Sequence, residues 1–286
     1  MPRRILTGLL CLFSAGGPAA AAEAWTASGF DTPESVFFDR EGQRLFVSEI
    51  VGGAPLAKDG NGRISVIGLD GAMIEPGFAT GLDAPKGMAM MGGRLYVSDI
   101  DRLRAIDPAS GEVVGTWPAE GAVFLNDLAT DGSRIFVSDM ATNRIYAFED
   151  DALSVWLESA ALEHPNGLEI ADGKLYVAAW GPGMREDGST EAPGRLLAVD
   201  LATRAVAPVG EGAPVGNLDG IRPDGRGGWF VTDWIGGALY RFDAEGRATL
   251  IADLDQGSAD LEYLPEAGLV LIPMMLSGTV VAHEVD

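Results

Sequence analysis

Four polar residues in this sequence share one local setting. Glu34-Ser-Val, Asn126-Asp-Leu, Asn166-Gly-Leu and Asp219-Gly-Ile each place a carboxylate or an amide just ahead of a small or polar residue and an aliphatic one. Lys86-Gly-Met has the same form with an ammonium, and Ala259-Asp-Leu has it without a polar lead residue. Two carboxylates and two amide carbonyls make a set of hard oxygen donors with no thiolate or imidazole. Such a set suits Ca²⁺, or Mg²⁺ or Mn²⁺, better than structural zinc. Each residue also has a plainer reading, because Asn-Gly and Asp-Gly are turn dipeptides. The shared register favours a site, provided that some architecture brings these distant positions together.

That architecture is legible as a repeat. A turn followed by an apolar-aromatic-Val strand recurs as Arg44-Leu-Phe-Val-Ser-Glu49, Arg94-Leu-Tyr-Val-Ser-Asp99, Arg134-Ile-Phe-Val-Ser-Asp139 and Lys174-Leu-Tyr-Val-Ala-Ala179. Gly228-Trp-Phe-Val-Thr-Asp233 and a degenerate Gly268-Leu-Val-Leu-Ile-Pro273 complete six copies. The aromatic position falls at 46, 96, 136, 176 and 230, with Val270 in the sixth copy. A period near 40, with alternating short strands, predicts an all-β, six-bladed β-propeller with four antiparallel strands per blade. The first strand of each blade lines the central channel, so the polar lead residues converge at one mouth. The two longer intervals locate insertions at 52–62 and 181–194, read as loops on one rim. Residues 29–34 match 81–86, which predicts that Ala24–Ser28 is an outer strand pairing with the last blade and closing the ring.

Other candidates compete for chemistry. Glu49, Asp99, Asp139 and Asp233 end second strands, where a carboxylate accepts turn amides, so they read as structural. Lys86 is either an inward group that binds substrate oxygens or a solvated rim lysine. His164 lies near the mouth, where it serves as a base or in rim packing, and His283 falls on an outer strand. Trp180 and Trp234 line a loop cleft or pack between blades. The sequence has no supported Ser-His-Asp arrangement, phosphate loop or dinucleotide fingerprint.

The first 22 residues read as a cleavable signal peptide. Arg3 and Arg4 precede a short apolar run, and Ala20-Ala21-Ala22 offers a cleavage site before the 23–286 propeller. The Arg pair is also a feature of twin-arginine leaders, but its flanks fit the general export route better. The expectation is a periplasmic or secreted protein. The only cysteine, Cys11, lies in the leader, so the mature chain has neither a disulfide framework nor thiolate chemistry. A net charge of −22 argues against nucleic acid or an anionic membrane as a partner. A monomer or small homo-oligomer acting on a small molecule is expected.

These motifs resemble those of the regucalcin/gluconolactonase family of calcium-binding propellers and, more distantly, the paraoxonases. The resemblance is carried by Pro33-Glu-Ser-Val-Phe-Phe-Asp39, Phe124-Leu-Asn-Asp-Leu128, Pro165-Asn-Gly-Leu168 and Asn217-Leu-Asp-Gly-Ile221. It implies a metal-dependent hydrolase opening a lactone or related ester. It also implies metal ligation by Glu34, Asn166 and Asp219, with Asn126 as a further ligand or a substrate contact. Asp219 is then the group that activates water. Phe124 stands where sugar-lactone hydrolases often carry Arg, which argues against a polar sugar substrate. The rival expectation is a non-catalytic calcium-binding propeller that holds a small ligand or protein partner.

Overall fold

The computed structural model describes residues 21–285, so the expected leader falls almost wholly outside the described residues. Six four-stranded antiparallel sheets follow one another along the chain. From the axis outward, blade 1 is Pro33–Asp39, Arg44–Glu49, Gly62–Ile67 and Met73–Leu82. Blade 2 is Pro85–Met91, Arg94–Asp99, Arg102–Ile106 and Val113–Pro118. Blade 3 is Leu125–Thr130, Ile135–Asp139, Arg144–Glu149 and Ala152–Glu158. Blade 4 is Pro165–Ala171, Lys174–Ala179, Leu196–Asp200 and Val206–Pro208. Blade 5 is Leu218–Pro223, Trp229–Asp233, Ala238–Phe242 and Ala248–Asp253. Blade 6 takes Glu262–Leu264, Leu269–Met274 and Thr279–Glu284 from the C-terminus, and Glu23–Ser28 from the N-terminus.

The closing strand sits where the 29–34 match places it, with Thr26 opposite Val281 and Ser28 opposite Thr279. It covers the edge of Thr279–Glu284 and becomes the outer strand of the last blade, completing its four strands. Both insertions join a second strand to a third, as read from the spacing.

Alternation along each strand puts apolar residues on both sheet faces, so every blade packs against two neighbours. Six buried clusters result, one at each blade interface. Phe136, Trp156, Leu168 and Val177 fill the interface of blades 3 and 4. Ala27, Val36, Leu271 and Val280 fill the closing interface. The aromatic position of the repeat packs in this way, buried at Phe46, Tyr96, Phe136 and Phe230 and partly buried at Tyr176, which is why it marks the period. A seventh, smaller cluster of Ile50, Ala84 and Ile100, with Met275 against it, caps the face on which the inner strands begin.

Candidate functional site at the propeller axis

The inner strands bring Glu34, Lys86, Asn126, Asn166 and Asp219 to one end of the channel, each at the second position of its strand. The same irregularity recurs there. The first residue of each strand pairs with the end of the second strand (Pro85 with Asp99, Leu125 with Asp139, Leu218 with Asp233), and regular pairing resumes one or two residues after the site residue. A break of this kind re-aims the side chain out of the ladder and towards the axis.

Two sets of side chains hold the break. The carboxylates that end second strands grip the approach to the inner strands. Glu49 accepts Asp31 N at 2.8 Å, Asp99 accepts Ala84 N at 2.8 Å, Asp139 accepts Phe124 N at 3.0 Å and Asp233 accepts Asn217 N at 3.0 Å. Their structural reading therefore holds. The hydroxyls one residue earlier reach across to the next blade. Ser98 donates to Asn126 O, Ser138 donates to Asn166 O at 2.7 Å and Thr232 donates to Ala259 O at 2.8 Å. Ser138 also accepts Asp127 N at 3.0 Å, and Thr232 accepts Gly220 N at 2.8 Å. Thus a blade's second strand sets the height of its neighbour's site residue.

Asn166-Gly and Asp219-Gly are not turns, because both dipeptides lie inside inner strands. Their glycines answer a different need. A Cβ at Gly167 would meet Asp219 O at 2.0 Å, and one at Gly220 would meet Leu261 N at 2.5 Å. The glycines let adjacent inner strands approach closely around the axis.

All five side chains are shielded from water. Exposure is 4% for Glu34, 1% for Lys86, 5% for Asn126, 1% for Asn166 and 5% for Asp219. Asn126 Nδ2 donates to Asn166 Oδ1, and the Asn166 amide lies beside Asp219. Burial pushes the Glu34 carboxyl well above its ordinary range; Asp219 adds to this and Lys86 opposes it. Burial likewise raises Asp219, with Asp260 reinforcing and the Asn166 amide opposing. Lys86 is not a rim lysine. Its ammonium donates to Ala84 O at 2.9 Å and Pro55 O at 3.2 Å, and lies 4.8 Å from the centre of the Phe124 ring. Burial lowers its pKa to about 8, against the pull of Glu34 and Asp99.

The donor set passes a physical test for a hard cation. Glu34 Oε2 is buried with no hydrogen-bond partner among the described residues, and two raised carboxylates face the same space. Among the described residues no three His, Cys, Asp or Glu stand together for a metal. A cation at the axis would therefore have to draw on the two amides as well as the two carboxylates.

His164 is not a free base. Its Nδ1 is 2.7 Å from Met140 O and its Nε2 accepts Met184 N at 3.2 Å, so both nitrogens are engaged. It pins the 181–194 insertion to the mouth. Trp180 and Trp234 pack with their ring centres 6.1 Å apart, and they tie loops through Gly188 O and Met275 Sδ. His283 lies on Thr279–Glu284, far from the axis residues in its blade.

A second tier below the mouth was not singled out from the sequence. Asp127 and Asp260 follow one residue after the lead positions, and Glu169, Arg222 and Glu262 follow three after them. Arg222, 7% exposed, faces Asp260 at 3.5 Å, Glu262 at 3.9 Å, and Asp127 and Glu169 at 4.0 Å. Ser35 Oγ donates to Asp260 at 2.6 Å, and Asp127 accepts Leu168 N at 2.7 Å. The cluster ties blades 1, 3, 4, 5 and 6 together beneath the mouth. Reading two more registers of the aligned inner strands was the available signal.

No protein-family model matches the sequence, and no curated protein matches it. Solved structures do. A gluconolactonase from Xanthomonas campestris superposes with a TM-score of 0.67 at 17% identity, covering 94% of this chain and 95% of its own. A catalytically inactive virginiamycin B lyase from Staphylococcus aureus, solved with quinupristin, superposes at 0.60 and 10% identity, covering 92% and 99%. A streptogramin B lyase superposes at 0.63 and 9% identity, covering 92% and 98%. This chain shares their fold. At these identities the likeness is one of architecture, and the chemistry has to be argued from the axis residues.

Proposed function

We propose that this chain is an exported, metal-dependent hydrolase that opens a lactone or related carboxylic ester at the axial mouth. The observation that carries the reading is the buried ring of Glu34, Asn126, Asn166, Asp219 and Lys86, in which Glu34 Oε2 has no partner among the described residues. Glu34, Asn166, Asp219 and Asn126 would hold the cation, most suitably Ca²⁺. A bound cation would favour the ionised forms of the two raised acids and would supply Lewis-acid polarisation of a carbonyl. The gluconolactonase among the structural neighbours supports this chemistry.

The chain's own residues supply the remaining roles. Asp219 takes the proton of the water that attacks the carbonyl carbon. The ring C–O bond then breaks, and the leaving oxygen takes a proton. Lys86 binds the substrate's oxygens and is placed to protonate the leaving oxygen, its own proton then being replaced by the one Asp219 took from water. Asn126 contacts substrate or completes the ligand set. Phe124 lies against the Lys86 ammonium, and Leu56 and Val123 beside this roof are about half exposed at 51% and 48%. An apolar roof fits an ester with an apolar body better than a polyhydroxylated one. Because the site is shielded, substrate enters by displacing roof loops, of which the 52–62 insertion is bonded directly to Lys86 through Pro55.

The lyase neighbours suggest bond elimination as another outcome on this fold. The inactive neighbour is one in which a histidine was replaced by alanine. Here His164 has both nitrogens engaged and His283 lies on a third strand, so hydrolysis is the better-supported reaction. The test is a panel of aliphatic, aromatic and sugar lactones assayed with calcium and after chelation. Turnover of the apolar members that chelator abolishes and calcium restores is expected. Calcium binding that stabilises the fold with no turnover of any member overturns the enzyme reading in favour of a binding propeller.

A further inference from the structure

The opposite end of the channel holds a cavity of about 370 Å³, lined by the far ends of the inner strands. Its floor carries Glu169, Arg222 and Glu262, and its walls include Phe37, Met90 and Tyr263. Through Phe37, Arg40, Met90 and Glu262 it adjoins a groove of about 610 Å³ between blades 1 and 2. Glu169 follows Asn166 by three residues, so the floor lies about 10 Å down the strand from the mouth. Nothing in the proposed hydrolysis uses it.

We propose that this cavity is a second ligand site, for a small organic cation that carries a neutral oxygen beside its ammonium on an apolar body. The charge balance sets the sign. Arg222 faces four carboxylates within 4.0 Å, and Asp127 and Asp260, both 2% exposed, already lie against it. Glu169 and Glu262 line the cavity with Arg222 and, at its exposed rim, Arg40, so two cations stand against four carboxylates and the excess charge is negative. Glu169 Oε1 accepts Ile170 N at 3.1 Å, while Oε2 has no hydrogen bond within the described residues. Its pKa is raised to about 7 by burial, even beside Arg222, which marks an undercompensated carboxylate.

Arg222 specifies the second feature. Its side chain is 9% exposed and its one hydrogen bond within the described residues runs from Nη1 to Ile221 O at 2.7 Å. Nε and Nη2 make none, and the carboxylate oxygens nearest them stand 3.9 and 3.5 Å away. A buried guanidinium with unmet N–H groups at the floor of a cavity calls for an acceptor. An anionic acceptor meets four carboxylates, so a hydroxyl or other neutral oxygen fits. The aromatic and thioether walls take the apolar body, with the groove receiving any extension.

The experiment is isothermal calorimetry on the mature protein with four probes of one size: 2-amino-1-phenylethanol, phenethylamine, 1-phenyl-1,2-ethanediol and mandelate. The amino alcohol is expected to bind most tightly and phenethylamine several-fold more weakly. The diol should lose tenfold or more, and mandelate should not bind. Glu169→Gln, a neutral isostere at a partly exposed position, should weaken the amino alcohol about tenfold. Met90→Trp, which fills the cavity wall without touching the charges, should abolish binding. Saturating calcium should leave the affinity unchanged, because the mouth is a separate site. Mandelate binding as well as the amine, an unchanged affinity in both variants, or displacement by calcium each overturns the proposal. None of these readings depends on turnover, so a failed lactonase assay leaves the result intact.

Discussion

Replacing Arg222 with Met removes the only guanidinium in the axial cluster and leaves the side-chain volume nearly unchanged. Four carboxylates then lose a cation that stood 3.5 to 4.0 Å away. At an effective dielectric near 20, each such contact corresponds to about 4 kcal/mol of Coulomb attraction. Desolvation of the charges offsets most of that, and breaking a buried pair by removing one partner costs about 3–5 kcal/mol net. For a chain of this size the loss amounts to roughly 10 °C in melting temperature. The cost should depend on pH. Glu169 already sits at about 7 with Arg222 present, and burial raises Asp127, Asp260 and Glu262 as well. Without Arg222, the folded variant holds protons that the unfolded chain has released. Its stability therefore falls as pH rises through that window. Calorimetric melts of wild type and variant at pH 5 and pH 8 should show a gap that is largest at pH 8 and narrows at pH 5. A gap of equal size at both pH values refutes the account of the cluster. So does a variant as stable as wild type at pH 8.

Deleting Glu23–Ser28 should cost several kcal/mol and promote aggregation, because it bares the edge of Thr279–Glu284; an unchanged melting temperature contradicts ring closure by this strand. Lys86→Met should lower turnover while calcium affinity stays equal or tightens, since a cation beside Glu34 is gone; equal turnover and equal affinity remove Lys86 from the site. Ser138→Ala should weaken calcium binding several-fold, read as a shift in the calcium midpoint of turnover with the plateau retained. Ser138→Thr should restore much of it, because the hydroxyl fixes Asn166 O rather than touching substrate; a variant with an unmoved midpoint contradicts that positioning role.

The propeller was legible because five of the six blades place an aromatic-Val second strand at an interface, and the sixth an aliphatic one, which imprints a period on the sequence. Phe46, Tyr96, Phe136 and Phe230 are all buried for this reason. Ring closure was legible because residues 29–34 repeat the turn found at 81–86. The mouth residues were legible because the strand break repeats, so one register captures Glu34, Lys86, Asn126, Asn166 and Asp219 together. The second tier left no such trace. Asp127, Glu169, Arg222, Asp260 and Glu262 differ in type from blade to blade, since a cluster around one guanidinium needs a charge from some blades and room from others. Gly87 illustrates the room, as a Cβ there would meet Asp127 Cα at 2.5 Å. The burial of Lys86 depends on Pro55, Ala84 and Phe124 meeting above it, contacts between segments that no local pattern encodes.

The central claim is that Asp219 is both ligand and base, and Asp219→Asn tests it most directly. The change keeps the size and one carbonyl oxygen, and removes the charge and the proton acceptor. Turnover of the best lactone should be measured against calcium concentration for wild type, Asp219→Asn and Asn166→Ala. Calcium should still bind Asp219→Asn at high concentration, yet the plateau should stay about two orders of magnitude or more below wild type, the scale of a lost general base. Asn166→Ala, which lacks only a neutral ligand, should recover much of its activity as calcium rises. If Asp219→Asn reaches the wild-type plateau once calcium saturates, Asp219 is a ligand alone and the proposed water activation is wrong.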